Sequence, residues 1–274
     1  MTREILLQAD VLDQSIIGLS WFDLALGAGL ILIAAGLSRW QRVGLTRDIV
    51  IGAIRSVVQL VLVGYVLVYI FQLDRWYLVV LALLMMLAMA AKTAVGRQPK
   101  RNTRLVGIVS VAMLIGSGLT LVYVGAAVVQ VDPWYNPRYL IPLFGMILGN
   151  AMNAAALAAE RLRGEMEARH AEIEAYLALG ARPAFAAREA VRRAIRASLI
   201  PMVNSLMVVG IVALPGMMTG QIIAGASPLT AVRYQILVMF MLMGAVAVTG
   251  VIVTLWYRKT FFTAAEQLSI ERVN

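Results

Sequence analysis

Polar side chains inside long apolar runs are the residues of this sequence whose chemical type and position give them the most reactive potential as ligands. Asn150 and Asn153 lie in one such run and Asn204 begins another. Asparagine amides hold helices together in lipid, and their oxygens can also coordinate a cation or a chelate. Arg55 and Gln59 lie four residues apart, so a helix places them on one face. The Arg55 side chain either extends to the polar surface at the helix end or lines a polar pathway through the helices. We predict that all five line a transport pathway.

Methionine offers a second type of ligand atom, the thioether sulfur. The chain has 15 methionines, and Met217 and Met218 directly follow the pair Pro215-Gly216. Thioethers favour soft ions such as Cu(I), although methionine also fills irregular gaps in packing. Proline removes a backbone hydrogen bond, so Pro215-Gly216 predicts either a hinge in a broken helix or a static kink. We add these four residues to the predicted pathway, with its metal ligands left undetermined.

The residue inventory argues against an enzyme. The chain has no cysteine, one histidine and only the lysines Lys92, Lys100 and Lys259. No nucleophile–base arrangement can be built from these residues, and no phosphate-binding glycine loop with its lysine is present. We therefore predict no cofactor in this chain, and we expect energy from a separate subunit or from an ion gradient.

The positioning elements are predicted to be membrane-spanning helices. The sequence is 61% hydrophobic and 14% charged, with a mean hydropathy of +0.82. A span needs about 20 apolar residues, and no segment shows the alternation of a barrel strand. Seven segments qualify: Trp21–Ser38, Ile49–Phe71, Tyr77–Val95, Leu105–Val129, Arg138–Ala159, Leu199–Ala224 and Ala231–Tyr257. We predict an all-α, polytopic membrane protein that forms a single domain over residues 1–274.

Loop charge predicts the orientation of these spans. Basic residues mark alternate connections and the tail: Arg39, Arg42 and Arg47, then Arg97, Lys100, Arg101 and Arg104, then many arginines in 160–198, then Arg258 and Lys259. Aromatic residues mark the opposite ends: Trp76, Tyr77, Trp134 and Tyr135. Positively charged loops stay in the cytoplasm. The N-terminus is therefore predicted outside and the C-terminus in the cytoplasm. The net charge of +9 is explained by this topology, so we do not predict nucleic-acid binding.

One connection is too long and too regular to be a simple loop. Residues 160–198 are rich in Ala, Glu, Arg and Leu, which are strong helix formers. Gly180 suits the end of one helix and Pro183 the first turn of the next. We predict a cytoplasmic helix–turn–helix, with Pro201 marking re-entry into the membrane. The pair either lies on lipid headgroups or docks on a cytoplasmic partner.

The run Glu174-Ala175-Tyr176-Leu177-Ala178-Leu179-Gly180-Ala181 resembles the EAA loop of ABC importer permeases, which contacts the ATPase. It departs from that pattern at Tyr176 and in a late Ile200-Pro201. The resemblance implies that Glu174, Ala175, Leu179, Gly180, Ala181, Arg182 and Pro183 couple the chain to an ATPase.

A wider resemblance covers nearly the whole chain. It rests on Ile141 to Met152, Leu177 to Ala181, Ala213 to Gly220, and Tyr234 to Leu242. Together these segments resemble the FetB family of ABC permeases, implicated in iron export, and the similar plant aluminium-tolerance permeases. The resemblance implies a homodimeric permease that exports iron or another metal ion, with ATP and Mg²⁺ on a separate ATPase subunit.

Two other functions are left open by the residues. An ion-gradient-driven secondary transporter would need an acid or histidine in mid-membrane, and none is evident. A non-transporting scaffold or receptor would use the helix–turn–helix only as a partner site. In each case we expect a multi-pass protein of the bacterial cytoplasmic (inner) membrane, in contact with the lipid bilayer.

Overall fold

The computed structural model describes residues 20–73, 75–96, 103–130 and 132–269. These residues form helices and connections, with no strand among them beyond isolated bridges. The predicted loop residues Arg97, Lys100 and Arg101 lie outside the described residues. Two units are distinguished: the first holds residues 20–73 and 220–227, and the second holds the other described residues. The all-α prediction is confirmed.

The first unit contains two long apolar helices, α1 (Trp21–Trp40) and α2 (Thr46–Leu73), which pack on each other. Helix α1 starts with a capping box in which Ser20 and Asp23 satisfy each other's backbone N–H groups. The Thr46 hydroxyl lies 3.4 Å from the Ala35 carbonyl oxygen and 3.3 Å from the Ser38 hydroxyl, which ties the start of α2 to α1. Within this unit, most apolar side chains of α2 are exposed, as lipid permits.

The second unit is built around two helices. Its elements are α3 (Trp76–Gly96), α4 (Thr103–Tyr123) with a π-helical extension (Val124–Val129), α5 (Pro137–Ala168), α6 (His170–Ala178), α7 (Pro183–Ala186), α8 (Arg188–Val208) and α10 (Pro228–Arg258). Helix α5 packs against α3, α4, α8 and α10, while α10 packs against α4, α5 and α8. Helices α5 and α10 are therefore the central pair of this unit.

Small residues allow the central helices to approach closely. A Cβ added at Gly116 of α4 would lie 3.0 Å from the Ala245 carbonyl oxygen and 3.1 Å from the Thr249 nitrogen, both in the backbone of α10. A Cβ at Gly250 of α10 would lie 2.6 Å from the Ser198 hydroxyl of α8. Close approach between helices is the usual role of small residues in membrane interiors, where packing replaces the hydrophobic effect.

The predicted continuous span over Leu199–Ala224 is wrong. Helix α8 ends at Val208, and a short helix α9 (Gly216–Ile223) follows after an irregular segment. Gly210 has φ +84, and its N–H donates to the Ala213 carbonyl at 2.9 Å. Pro215, which has no N–H to donate, then directly precedes α9. Hydropathy follows composition and not backbone continuity, so it does not detect this break.

Six helical segments of the described chain are long and apolar enough to span a membrane: Phe22–Trp40, Thr46–Leu73, Trp76–Gly96, Thr103–Val129, Pro137–Ala168 and Pro228–Phe261. They overlap six of the seven predicted spans. The seventh prediction corresponds to α8 and α9 with the break between them. Of the two alternatives left open at Pro215-Gly216, the structure shows the broken helix, with its irregular part at Val209–Pro215.

Candidate functional site

Two adjoining cavities lie among α5, α8 and α10, each with a volume of about 250 Å³. Asn150, Met202 and Ser205 line both of them. The first cavity is also lined by Asn153 and Ser198. The second cavity reaches the break after α8, where its lining includes Val209, Ala213 and Pro215, and it meets α10 at Met239 and Leu242. The polar groups of the central helices and the broken helix therefore meet at one place.

Helical periodicity explains which residues line these cavities. On α8 the lining residues recur at helical spacing and so share one side of the helix: Ser198, Pro201, Met202, Ser205 and Val208. Asn204 is exposed on the same helix and lines neither cavity. The structure therefore does not bring Asn204 together with Asn150 and Asn153.

The cavity lining presents hydrogen-bond acceptors. The Ser205 hydroxyl donates to the Pro201 carbonyl at 3.0 Å, and the Ser198 hydroxyl donates to the Ile195 carbonyl at 2.8 Å. The Asn150 side-chain N–H donates to the Met146 carbonyl at 2.9 Å. Each serine hydroxyl uses its single donor within its own helix, so its oxygen lone pairs remain for a guest, and the Asn150 and Asn153 amides add carbonyl oxygens and further N–H donors. Such a surface offers oxygen ligands to a cation or to a hydrogen-bond donor.

The cavities hold no charged ligand. Among the residues that the structure describes, their lining has amides, hydroxyls, apolar side chains and the thioethers of Met202 and Met239, with no carboxylate or imidazole. In the part of the chain that the structure describes, no group of three or more His, Cys, Asp or Glu is arranged to hold a metal ion. Neutral oxygen and sulfur ligands can bind a solute weakly and release it, whereas tight chelation of a hard divalent ion needs carboxylates.

Several other predicted pathway residues lie elsewhere. Arg55 and Gln59 are exposed on α2 in the first unit. Gly216 opens α9, and Met217 packs partly buried against the core of the second unit. Neither Met217 nor Met218 lines the two cavities. Pro215 is the predicted pathway residue near the break that lines a cavity.

A helical knob, His170–Ala186, connects the ends of α5 and α8. It consists of α6, a turn at Gly180 and α7, and it confirms the predicted helix–turn–helix. Gly180 has φ +82, a conformation that favours glycine. The Ala181 N–H donates to the Tyr176 carbonyl and the Gly180 N–H to the Leu177 carbonyl, both at 2.9 Å. These two bonds form a Schellman motif, and Pro183 then begins α7 at its first position.

The tip of the knob is apolar and exposed, whereas its base is buried. Leu179 is 85% exposed and Phe185 is 57% exposed. The Tyr176 and Phe185 rings meet edge to face across the turn, with centroids 5.7 Å apart. By contrast, Ile173 and Ala186 at the base are buried. A firmly seated projection with an apolar end has the form of a docking element.

The tyrosine that departs from the EAA pattern therefore has a structural role. Tyr176 contacts Phe185 edge to face across the turn that carries Leu179 and Gly180. The predicted coupling residues Glu174, Ala175, Ala181, Arg182 and Pro183 lie along this same projection. Glu174 is exposed, and its carboxylate lies 3.4 Å from the His170 imidazole.

A buried carboxylate links the two helices that flank the knob. Glu165 of α5 has a side chain only 8% exposed, and arginines surround it. Its oxygens lie 2.6 Å from Arg161, 3.5 Å from Arg169 and 3.7 Å from Arg193 of α8. The Arg193 contact crosses between helices, so this cluster ties α5 to α8 just beside the knob. A buried carboxylate without such partners would be strongly disfavoured.

Arg193 of α8 also lowers the pKa of a neighbouring acid, Glu189. The Arg193 guanidinium donates to Glu189 at 3.0 Å, and this hydrogen bond holds the pKa of the Glu189 carboxyl below its usual range. The same bond raises the pKa of Arg193. Both side chains therefore stay ionised at neutral pH.

Comparison with known proteins identifies the family. The model of a family described as "Uncharacterised protein family (UPF0014)" matches residues 21–262. The chain belongs to UPF0014. It is 41% identical to "UPF0014 membrane protein slr1647" of Synechocystis, over 94% of this chain and 100% of that protein.

Two further UPF0014 relatives have more informative names. The chain is 36% identical to "Probable iron export permease protein FetB" of Escherichia coli, over 92% of this chain and 95% of the relative. It is also 36% identical to "Protein ALUMINUM SENSITIVE 3" of Arabidopsis thaliana, over 87% and 86%. No solved structure matches the chain. The resemblance to FetB is confirmed, and this UPF0014 protein is a multi-pass membrane protein.

Sequence reasoning missed several site residues of this UPF0014 protein. Ser198, Met202 and Ser205 recur at helical spacing and so share one face of α8. This periodicity is the sequence signal that could have identified them. Glu165 carried a signal too, because it stands four residues from both Arg161 and Arg169. Met239 carried no distinguishing signal, because its place in the lining depends on how α10 packs.

Proposed function

We propose that this chain is the membrane-spanning subunit of an ABC transporter, and that a separate ATPase drives it to export iron or another metal ion. The observation that carries the proposal is the helical knob, whose exposed apolar tip at Leu179 and Phe185 connects the two helices lining the polar cavities. The name of the Escherichia coli relative, an iron export permease, supports the cargo and the direction. Two copies of the chain would enclose the pathway.

Motion would reach the cavities through rigid elements. Helix α5 continues from Asn150 to Ala168, about 27 Å along its axis, and then enters the knob. Helix α8 leaves the knob at Arg188 and reaches the same cavities. A displacement of the knob therefore moves two cavity walls together, while the break after Val208 absorbs the backbone change. Such rigid-body transmission is a common basis of alternating access.

The cargo would be held weakly. Oxygen acceptors from Asn150, Asn153 and Ser205 would replace part of its hydration shell, and Met202 adds a soft contact. Weak binding suits a transporter in which ATP hydrolysis, not affinity, supplies the driving force, since a solute that must leave cannot be chelated tightly.

Orientation follows the same proposal. The knob would face the cytoplasm, where the ATPase resides, with the N-terminus outside and the C-terminus inside. Counting α8 and α9 together as one interrupted crossing keeps the number of crossings odd. Basic residues at the knob end of α5 and α8 agree with a cytoplasmic location.

The test is whether the knob stimulates ATP hydrolysis. The chain is co-expressed with the ATPase subunit that co-purifies with it, and hydrolysis is measured after reconstitution. Leu179→Asp should reduce stimulation at least tenfold, because it places a charge on the apolar tip. Ala171→Asp, an exposed site on α6 away from the tip, is the matched control and should retain stimulation. Full stimulation with Leu179→Asp would exclude coupling through the knob.

A further inference from the structure

A groove with a volume of about 520 Å³ lies between α5 and α8, near the ends of these helices that the knob connects. Arg161 of α5 lines one wall, and Arg192, Arg193 and Arg196 of α8 line the other. Glu189 is the acid in the lining. The groove therefore concentrates four guanidinium groups around a space large enough for a small anionic group.

The internal ion pairs do not use all of this positive charge. Glu165 engages Arg161 at 2.6 Å, and Glu189 engages Arg193 at 3.0 Å. Arg192 is 80% exposed and lies 4.0 Å from Glu189, at the limit of an ion pair. Arg196 is exposed and has no ion pair among the described residues. Two arginines thus face the groove with charge available for an external anion.

The groove lies where α8 changes character. The helix is polar from Arg188 to Arg196 and becomes apolar from Leu199 onward. Ile200, which is 45% exposed, continues the lining on the apolar side. A ligand with an anionic group beside a hydrocarbon chain matches both halves of this surface. Phospholipid molecules present that combination at the level of the headgroups.

We propose that this groove binds the phosphate group of an anionic phospholipid. Arg192 and Arg196 lie one turn apart on the same face of α8, so both guanidinium groups can donate hydrogen bonds to one phosphate. Arg161 adds positive charge from the facing helix α5, and Glu165 holds its guanidinium group in place. The acyl chains extend along Ile200 toward the apolar part of α8. A lipid bound in this way contacts both walls beside the knob.

The test uses the purified full-length chain in a neutral detergent. Binding of phosphatidylglycerol and of phosphatidylcholine is measured by native mass spectrometry for the wild type and for R192Q/R196Q. Each arginine near a membrane surface contributes about fivefold to binding of an anionic lipid, so the double variant should bind phosphatidylglycerol about 30-fold more weakly. R188Q, which removes an exposed arginine of the same helix outside the groove, should bind as the wild type does.

Inorganic phosphate serves as the second probe, in a thermal-shift measurement on the same samples. The proposal expects phosphatidylglycerol to raise the melting temperature of the wild type and not of R192Q/R196Q, and expects phosphate alone to have little effect. Equal stabilisation by phosphate alone would make the groove a site for soluble anions and overturn the lipid assignment. Unchanged lipid binding in R192Q/R196Q, with weakened binding of the ATPase subunit instead, would assign these arginines to the protein partner and overturn the proposal as well.

Discussion

Replacement of Glu165 by glutamine should destabilise the protein far more than the same replacement two residues later. Glu165 has a side chain 8% exposed and lies within 4 Å of Arg161, Arg169 and Arg193. Loss of one partner from a fully buried pair costs about 3–5 kcal/mol, whereas an exposed pair contributes about 0–1 kcal/mol. These arginine side chains are 54%, 21% and 49% exposed, so water screens part of the repulsion that remains. We therefore expect a loss of about 2 kcal/mol.

Glu167 provides the matched control for this prediction. It pairs with Arg163 at 2.8 Å, but its side chain is 45% exposed, so Glu167→Gln should cost at most about 1 kcal/mol. Thermal unfolding of the purified chain in detergent measures both variants. A loss of 2 kcal/mol corresponds to a melting temperature lowered by about 4–8 °C for a chain of this size. Equal melting temperatures for the two variants would refute the structural role assigned to Glu165.

Three further substitutions test the fold, the cavities and the knob. Gly116→Ala should lower the free energy of unfolding by about 1–3 kcal/mol, because its Cβ would press on the backbone of α10. Gly107→Ala is the control and should leave the stability unchanged, because no atom lies within 4 Å of its added Cβ. Thermal unfolding in detergent compares the two variants. Asn150→Leu should reduce ATP-driven transport at least tenfold with unchanged expression, whereas Asn204→Leu, outside the cavities, should transport normally in the same vesicle assay. Gly180→Ala should strain the Schellman turn by about 1–2 kcal/mol and weaken ATPase stimulation, since φ +82 disfavours alanine; unaltered stimulation would show that the turn geometry is not required.

Much of the fold was predictable from the sequence, because lipid imposes strong constraints on composition. Six predicted spans coincide with helices, since a run of about 20 apolar residues in lipid must satisfy its own backbone. The knob was predictable for a different reason: Gly180 and Pro183 are residues whose backbone preferences end one helix and begin another. Both predictions depend on local rules.

The break after α8 is not visible in hydropathy, and the composition of the site depends on non-local packing. The segment Val209–Pro215 is as apolar as the helices on either side, so only Pro215-Gly216 indicated an interruption there. Asn150 and Asn153 were identified as polar residues in an apolar run, and the cavities contain both. Asn204 satisfied the same criterion and lines neither cavity. Residue type therefore suggested candidates, and the packing of α5, α8 and α10 decides which of them line the cavities.

The most direct test of the proposed transport function is accumulation of radioactive iron by everted membrane vesicles that contain the chain and its ATPase subunit. In such vesicles the cytoplasmic face is outside, so an exporter fills the lumen. We predict accumulation that requires hydrolysable ATP, persists in the presence of a protonophore and is lost with Leu179→Asp. Accumulation without ATP that collapses with the proton gradient would contradict the account and identify a secondary transporter. The absence of any ATP-dependent accumulation of iron or of other metal ions would contradict the proposed export of metals.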